Sequence, residues 1–149
     1  MNVRIRSTAL ALAFSVLGSV LWIGTVRAQT PGVTNQPLAR GQTDYAAAVG
    51  GPAEIMLARV TLEPGSSSGW HTHPGSGWVV ITDGQVSLYG HDGCPQVYTA
   101  GAAFLEEAGD IHEARNETAQ PAEFFIAFTV PSGGPLMMTA SIPSGICGH

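Results

Sequence analysis

The residues with the most chemical capacity in this sequence are two histidines, one residue apart, in "GWHTHPGSGWVVITDG", Gly69 to Gly84. In an extended segment, residues two apart project from the same face. The imidazoles of His71 and His73 can therefore reach a single cation. Three further histidines follow, His91, His112 and His149. His91, in the loop "YGHDGCPQ", and His149 read as solvated side chains. Glu106 and Glu107 shortly precede His112, where a carboxylate can hydrogen-bond a ligating imidazole, replace a missing ligand or accept a proton. Solvated loop charges are the plainer alternative for both. Of the two, Glu106 is the stronger candidate. No nucleophile motif, cofactor loop or phosphate-binding motif accompanies these groups.

Short β-rich segments must position them. The pattern predicts strands over Glu54–Leu62, Trp78–Thr82, Gln85–Tyr89, Gln96–Thr99, Ala102–Leu105, Ile111–Arg115, Glu123–Val130 and Leu136–Ile142, punctuated by prolines. Asp83-Gly84 between "WVVIT" and "QVSLY" is the strongest hairpin signal in the chain. Alternation in "AEFFIAFTV" sends Phe124, Ile126 and Phe128 to one face and Phe125 and Ala127 to the other. Trp70, Trp78, Phe124, Phe125 and Phe128 are candidates for a pocket wall, with simple core packing as the alternative. Arg59 and Arg115 could each meet a ligand carboxylate or form a structural ion pair. Many short strands without alternating helices predict a small sandwich or barrel. Only "TDYAAAV", Thr43 to Val49, offers a helical turn or two.

The 149 residues are one domain's worth. Residues 1–28 read as a signal peptide: Arg4 and Arg6, an uncharged run from Ser7 to Val26, then Val26-Arg27-Ala28 as a cleavage pattern. An uncleaved anchor is the alternative. Residues 29–51, rich in Gly, Pro, Thr, Gln and Ala, read as a flexible arm, and 52–149 as the folded domain. Cleavage near Ala28 makes the protein exported, periplasmic or secreted. It leaves three arginines and no lysine against eleven acidic residues. Such a surface repels phosphate backbones and anionic membranes, so nucleic-acid and membrane partners are not expected, whereas small molecules and metal cations are. In an oxidising compartment Cys94 and Cys147 most simply form a disulfide, a free reactive thiol at Cys94 being the alternative.

The spacings around the histidines resemble those of the cupin superfamily. Its first motif is matched by Gly65, His71, His73 and Gly84, and its second by Gly101, Gly109, His112 and Asn116, with Glu107 at the position of the usual proline. This resemblance implies an all-β fold, a single cupin jelly-roll barrel of six to eight strands, with the N-terminal segment as an extended arm. It also implies a divalent first-row transition metal, with iron, manganese, zinc, nickel and copper unresolved, held by His71, His73 and His112. The fourth ligand of the family is a glutamate separated from the second histidine by three or four intervening residues. Gly77 and Trp78 occupy those positions.

A neutral three-histidine set leaves the ion's charge uncompensated and its face open to anionic oxygen or sulfur ligands. By resemblance, three-histidine cupins include thiol and diketone dioxygenases. The expectation is an exported metal-dependent cupin that binds a small anionic ligand, with oxygenase, lyase or isomerase chemistry and Glu106 moving protons. The alternative is a non-catalytic cupin that sequesters or senses a metal or small molecule. A homodimer is the expected assembly.

Overall fold

The computed structural model describes residues 30–44, 50–144 and 147. The predicted signal peptide, most of the predicted helical turn and His149 lie outside these residues. Ten strands follow in order: β1 (Val33–Thr43), β2 (Ala53–Leu62), β3 (His71–Thr72), β4 (Gly77–Asp83), β5 (Gln85–Tyr89), β6 (Pro95–Thr99), β7 (Ala103–Glu106), β8 (Glu113–Arg115), β9 (Ala122–Pro131) and β10 (Met138–Thr139). They form a five-stranded sheet ordered β1-β2-β9-β4-β7, a three-stranded sheet β6-β5-β8 and a small pair β10-β3. No helix occurs among the described residues. The all-β architecture is the expected one, although the sheets do not close into a continuous barrel. The strand count exceeds six to eight because β1 and the two-residue strands β3 and β10 add to it.

Strand periodicity builds the core. Along β9, Ala122, Phe124, Ile126, Phe128 and Val130 are buried and the residues between them are not, as the alternation predicts. Met56, Ala58, Val60 and Leu62 of β2 and Val79 and Ile81 of β4 join them from the same sheet. Val86 of β5 and Ala114 of β8 close the cluster from the other side. At about 25 cal/mol per Å² of buried apolar surface, this shared core is the principal force holding the sheets together.

The predicted hairpin at Asp83-Gly84 does not form. β4 pairs with β7 and β9, whereas β5 pairs with β6 and β8, so the chain crosses between sheets at this point. Gly84 has φ +70°, and a Cβ there would lie 2.5 Å from the Pro121 carbonyl oxygen. Glycine is required for the left-handed conformation and for this close approach. The local turn chemistry is correct, but burial of β4 against β9 and of β5 against β8 decides which strands pair.

The segment predicted as a flexible arm contains β1, paired antiparallel with β2 from Val33↔Leu62 to Thr43↔Ala53. Most of β1 is exposed. Main-chain hydrogen bonds to its neighbour hold such an edge strand in place, so it needs no apolar alternation and leaves little trace in the sequence. Cys94, just before β6, and Cys147, near the C-terminus, are joined in a disulfide with Cα atoms 4.6 Å apart.

Candidate metal centre

Two segments bring the histidines together. His71 and His112 exchange main-chain hydrogen bonds, N to O at 2.9 Å in each direction, and the Gly109 amide donates to the His73 carbonyl at 2.9 Å. Further along, the Ser68 amide donates to Ala114 O and the Gly65 amide to Asn116 O. The two histidine-bearing segments are thus zipped together. Asn116 is fully buried and holds the following turn: its amide donates to Leu62 O and Gln120 O, and its oxygen accepts from the Thr118 amide and hydroxyl. Its role is architectural.

His71, His73 and His112 are all buried, and one ring nitrogen from each falls within 4.8 Å of the others. Their outward nitrogens are engaged by main-chain carbonyls. His71 Nδ1 lies 2.7 Å from Gly69 O, His73 Nδ1 2.6 Å from Leu136 O and His112 Nδ1 3.1 Å from Asp110 O. A carbonyl oxygen only accepts, so each Nδ1 carries a proton and each ring turns its Nε2 inward. The Nε2 atoms of His71 and His73 are 3.1 Å apart. His73 also packs on Phe128, with ring centroids 4.7 Å apart.

One carboxylate enters this cluster. Glu106, at the end of β7, places Oε2 3.3 Å from His73 Nε2 and Oε1 3.5 Å from His112 Nε2. Glu106 Oε2 and His112 Nε2 are buried without a hydrogen-bond partner. Glu107 is exposed, as the solvated alternative describes. Burial lowers the His71 pKa to about 4, so that ring is neutral at physiological pH. Burial alone would raise the Glu106 pKa, but the His112 and His73 imidazoles outweigh it and hold the carboxyl at about 2. For His112, burial acts downward, yet the Glu106 carboxylate prevails and the pKa rises.

Convergent imidazole lone pairs, an ionised buried carboxylate and two orphaned polar atoms repel or strand one another without a shared positive charge. Nitrogen and oxygen donors of this kind suit a divalent first-row transition ion and do not select among such ions. The residues therefore fit the expected metal.

Beside the cluster lies a cavity of about 290 Å³ to which His71, His73 and Glu106 contribute. Val60, Ala114, Phe124, Ile126, Phe128 and Leu136 form much of its wall, and Thr30, Val33 and Asn35 reach it from the N-terminal segment. Of the aromatic candidates, Phe124 and Phe128 line this cavity. Trp70 lines a neighbouring recess, and Trp78 is 62% exposed on the outer sheet face. Neither arginine candidate reaches the cavity. Arg59 lies near Gln36 and Glu123, and Arg115 pairs with Glu113 and stacks 4.2 Å above the Tyr89 ring. His91 is exposed. The contribution of Leu136 and of the N-terminal segment was not anticipated, because neither has a motif and both reach the site only through tertiary packing.

Comparison with known proteins bears on the fold. Residues 58–128 match the family described as the cupin domain. The fold is similar to that of the polyketide cyclase RemF from Streptomyces resistomycificus, with a TM-score of 0.60, 18% identity, and coverage of 80% of this chain and 79% of that one. An oxalate oxidase in complex with the substrate analogue glycolate gives a TM-score of 0.56 and 19% identity, over 74% of this chain and 57% of that one. The cupin domain of an XRE-family transcriptional regulator from Enterobacter cloacae gives 0.51 and 17%, over 67% of this chain and 98% of that one. At these identities the likeness is one of fold. No match was found among curated proteins.

Proposed function

The chain belongs to the cupin superfamily, and on that premise we propose that it is an exported, metal-dependent cupin that takes a small molecule at a centre built on His71, His73 and His112. One observation carries the reading: three buried rings, each fixed by a main-chain carbonyl at Nδ1, direct Nε2 toward a common point. A divalent ion bound there would supply Lewis-acid polarisation of a chelating oxygen or sulfur.

The cavity wall defines the ligand further. It is largely apolar, and among the described residues no arginine or lysine lines it. The described lining residues thus offer an anion no arginine or lysine countercharge at this place. The ligand is a small molecule with an apolar body, which Val60, Phe124, Ile126 and Phe128 exclude from water, and one polar head directed at the histidines. Among the described residues Glu106 is the one carboxylate on that wall, and it is the group placed to take or return a proton, as a lyase, isomerase or oxygenase requires.

Two further parts of the proposal rest on other features. The Cys94–Cys147 disulfide belongs in an oxidising compartment and supports export. The apolar outer face of the five-stranded sheet, with Ile55, Leu57, Trp78, Val80 and Leu105 exposed, supports a homodimer.

Elemental analysis of the full chain tests the central claim. One divalent transition ion per chain is expected, lost in His71→Ala and His112→Ala; a metal content near zero, or one indifferent to both substitutions, removes the proposal. If the ion is iron, oxygen uptake with small thiols and β-diketones separates the oxygenase reading from the other two.

A further inference from the structure

We infer that Glu106 supplies, from β7, the carboxylate ligand that is missing from β4; this rests on the three-histidine metal reading and extends it.

Gly77 and Glu106 are directly paired across the antiparallel β4–β7 ladder. Side chains at directly opposed positions project to the same face with Cβ atoms about 4.5–5.5 Å apart. A carboxylate rooted on either strand therefore reaches the same region. Both positions are buried, whereas their neighbours Trp78 and Leu105, also directly paired, point outward. At Gly77 the backbone is ordinary, but the space that a side chain would need is filled: a Cβ there would lie 3.3 Å from Glu106 Oε2 and 2.8 Å from Ile126 Cδ1. The absence of a glutamate on β4 and the presence of one on β7 are complementary.

The environment of Glu106 argues against a solvated or purely structural charge. It is 6% exposed, its carboxylate contacts are the two imidazoles, and Oε2 has no hydrogen-bond partner. An ionised carboxylate is not left in that state in a stable interior unless something positive completes it. Carboxylate ligation also alters the expected character of the centre. Three neutral imidazoles leave a divalent ion's charge wholly uncompensated, whereas Glu106 removes half of it and makes the open face less demanding of an anionic ligand. That agrees with a cavity wall that is mostly apolar. The second carboxylate oxygen stays available to exchange a proton with a bound molecule.

The test is Co²⁺ titration of the metal-free full chain, read by calorimetry and by the visible ligand-field spectrum. Wild type should bind one Co²⁺. Glu106→Gln, which keeps the shape and removes the charge, should weaken binding at least about tenfold and change the spectrum, as should Glu106→Ala. Adding Gly77→Glu to Glu106→Ala should restore both affinity and spectrum, because the carboxylate then arrives from the opposite strand. Metal-free melting curves of each variant control for folding. If both single variants keep wild-type affinity and spectrum while His71→Ala loses the ion, the inference is overturned and the three-histidine reading stands. If wild type binds no Co²⁺, both are overturned.

Discussion

His71 and His112 face one another across a bridge in which each amide donates to the other's carbonyl at 2.9 Å, so main chain joins the two halves of the site. The rings themselves are not the fastening. Replacing either ring by alanine should therefore leave the metal-free protein folded, though weakened by the loss of a buried ring, while abolishing stabilisation by the ion. A ligand at one hundred times its dissociation constant adds about 2.7 kcal/mol to a fold that alone binds it. Melting curves with and without Zn²⁺ or Co²⁺ measure this directly: a rise for wild type and none for His71→Ala or His112→Ala. A rise that survives both substitutions places the ion elsewhere.

Glycine at position 77 is required for space, not for conformation, since its backbone φ is not positive. Gly77→Ala sets its Cβ 2.8 Å from the flexible end of Ile126 and 3.2 Å from the Phe128 ring, small displacements that should cost less than the glutamate. Gly77→Glu places a second carboxylate beside Glu106 and overpacks Ile126, with an expected loss of about 1–3 kcal/mol. Urea denaturation of metal-free protein should show the glutamate variant clearly weaker than the alanine one. The deficit should shrink when Glu106 is also replaced by alanine; equal stability of the two single variants contradicts the packing account.

Acid acts on His71 in a definite direction. Burial lowers its pKa from 6.5 in a free side chain to about 4. Between those values the unfolded chain takes up a proton that the folded chain refuses. The contribution of His71 is thus fully present above pH 6.5 and declines as pH falls toward 4, by about 3 kcal/mol in all. His112 is shifted the other way beside Glu106, so bulk stability mixes the two. Ring ¹⁵N shifts of the metal-free protein resolve them. At pH 5 His71 should still be the neutral Nδ1–H tautomer, and a protonated His71 at pH 6 would be inconsistent with its burial.

On the outer face, Trp78, Val80 and Leu105 are exposed together with Ile55 and Leu57. Sedimentation velocity of wild-type protein should show a dimer. Trp78→Asp, which sets a charge in the middle of that apolar patch, should sediment as a monomer and still bind metal, because Trp78 does not contribute to the cavity. A monomeric wild type removes the dimer from the proposal.

What the sequence discloses follows the range of the signal. His71, His73 and His112 are legible because the spacing between two local motifs encodes them. The buried face of β9 is legible because period-two alternation is local. The pairing of Gly77 with Glu106 depends on strand register, which joins positions 29 apart and leaves no local pattern. Glu106 could be named as a candidate, but its place opposite the empty position could not. At Asp83-Gly84 a true turn signal points to the wrong strand partner, because burial overrides local preference. β1 is missed for the opposite reason: an exposed edge strand has no face that must be apolar.

The three carbonyls of Gly69, Asp110 and Leu136 that orient the imidazoles belong to the main chain, and no side-chain replacement deletes them. Val60, Phe124 and Ile126 line the cavity and supply none of these carbonyls. Orientation of the donors and shape of the chamber are thus separable inheritances. A library randomised at Val60, Phe124 and Ile126, with Phe128 kept because it packs on His73, would explore new ligands around donors aimed by main chain, and this makes the scaffold a natural starting point for redesign.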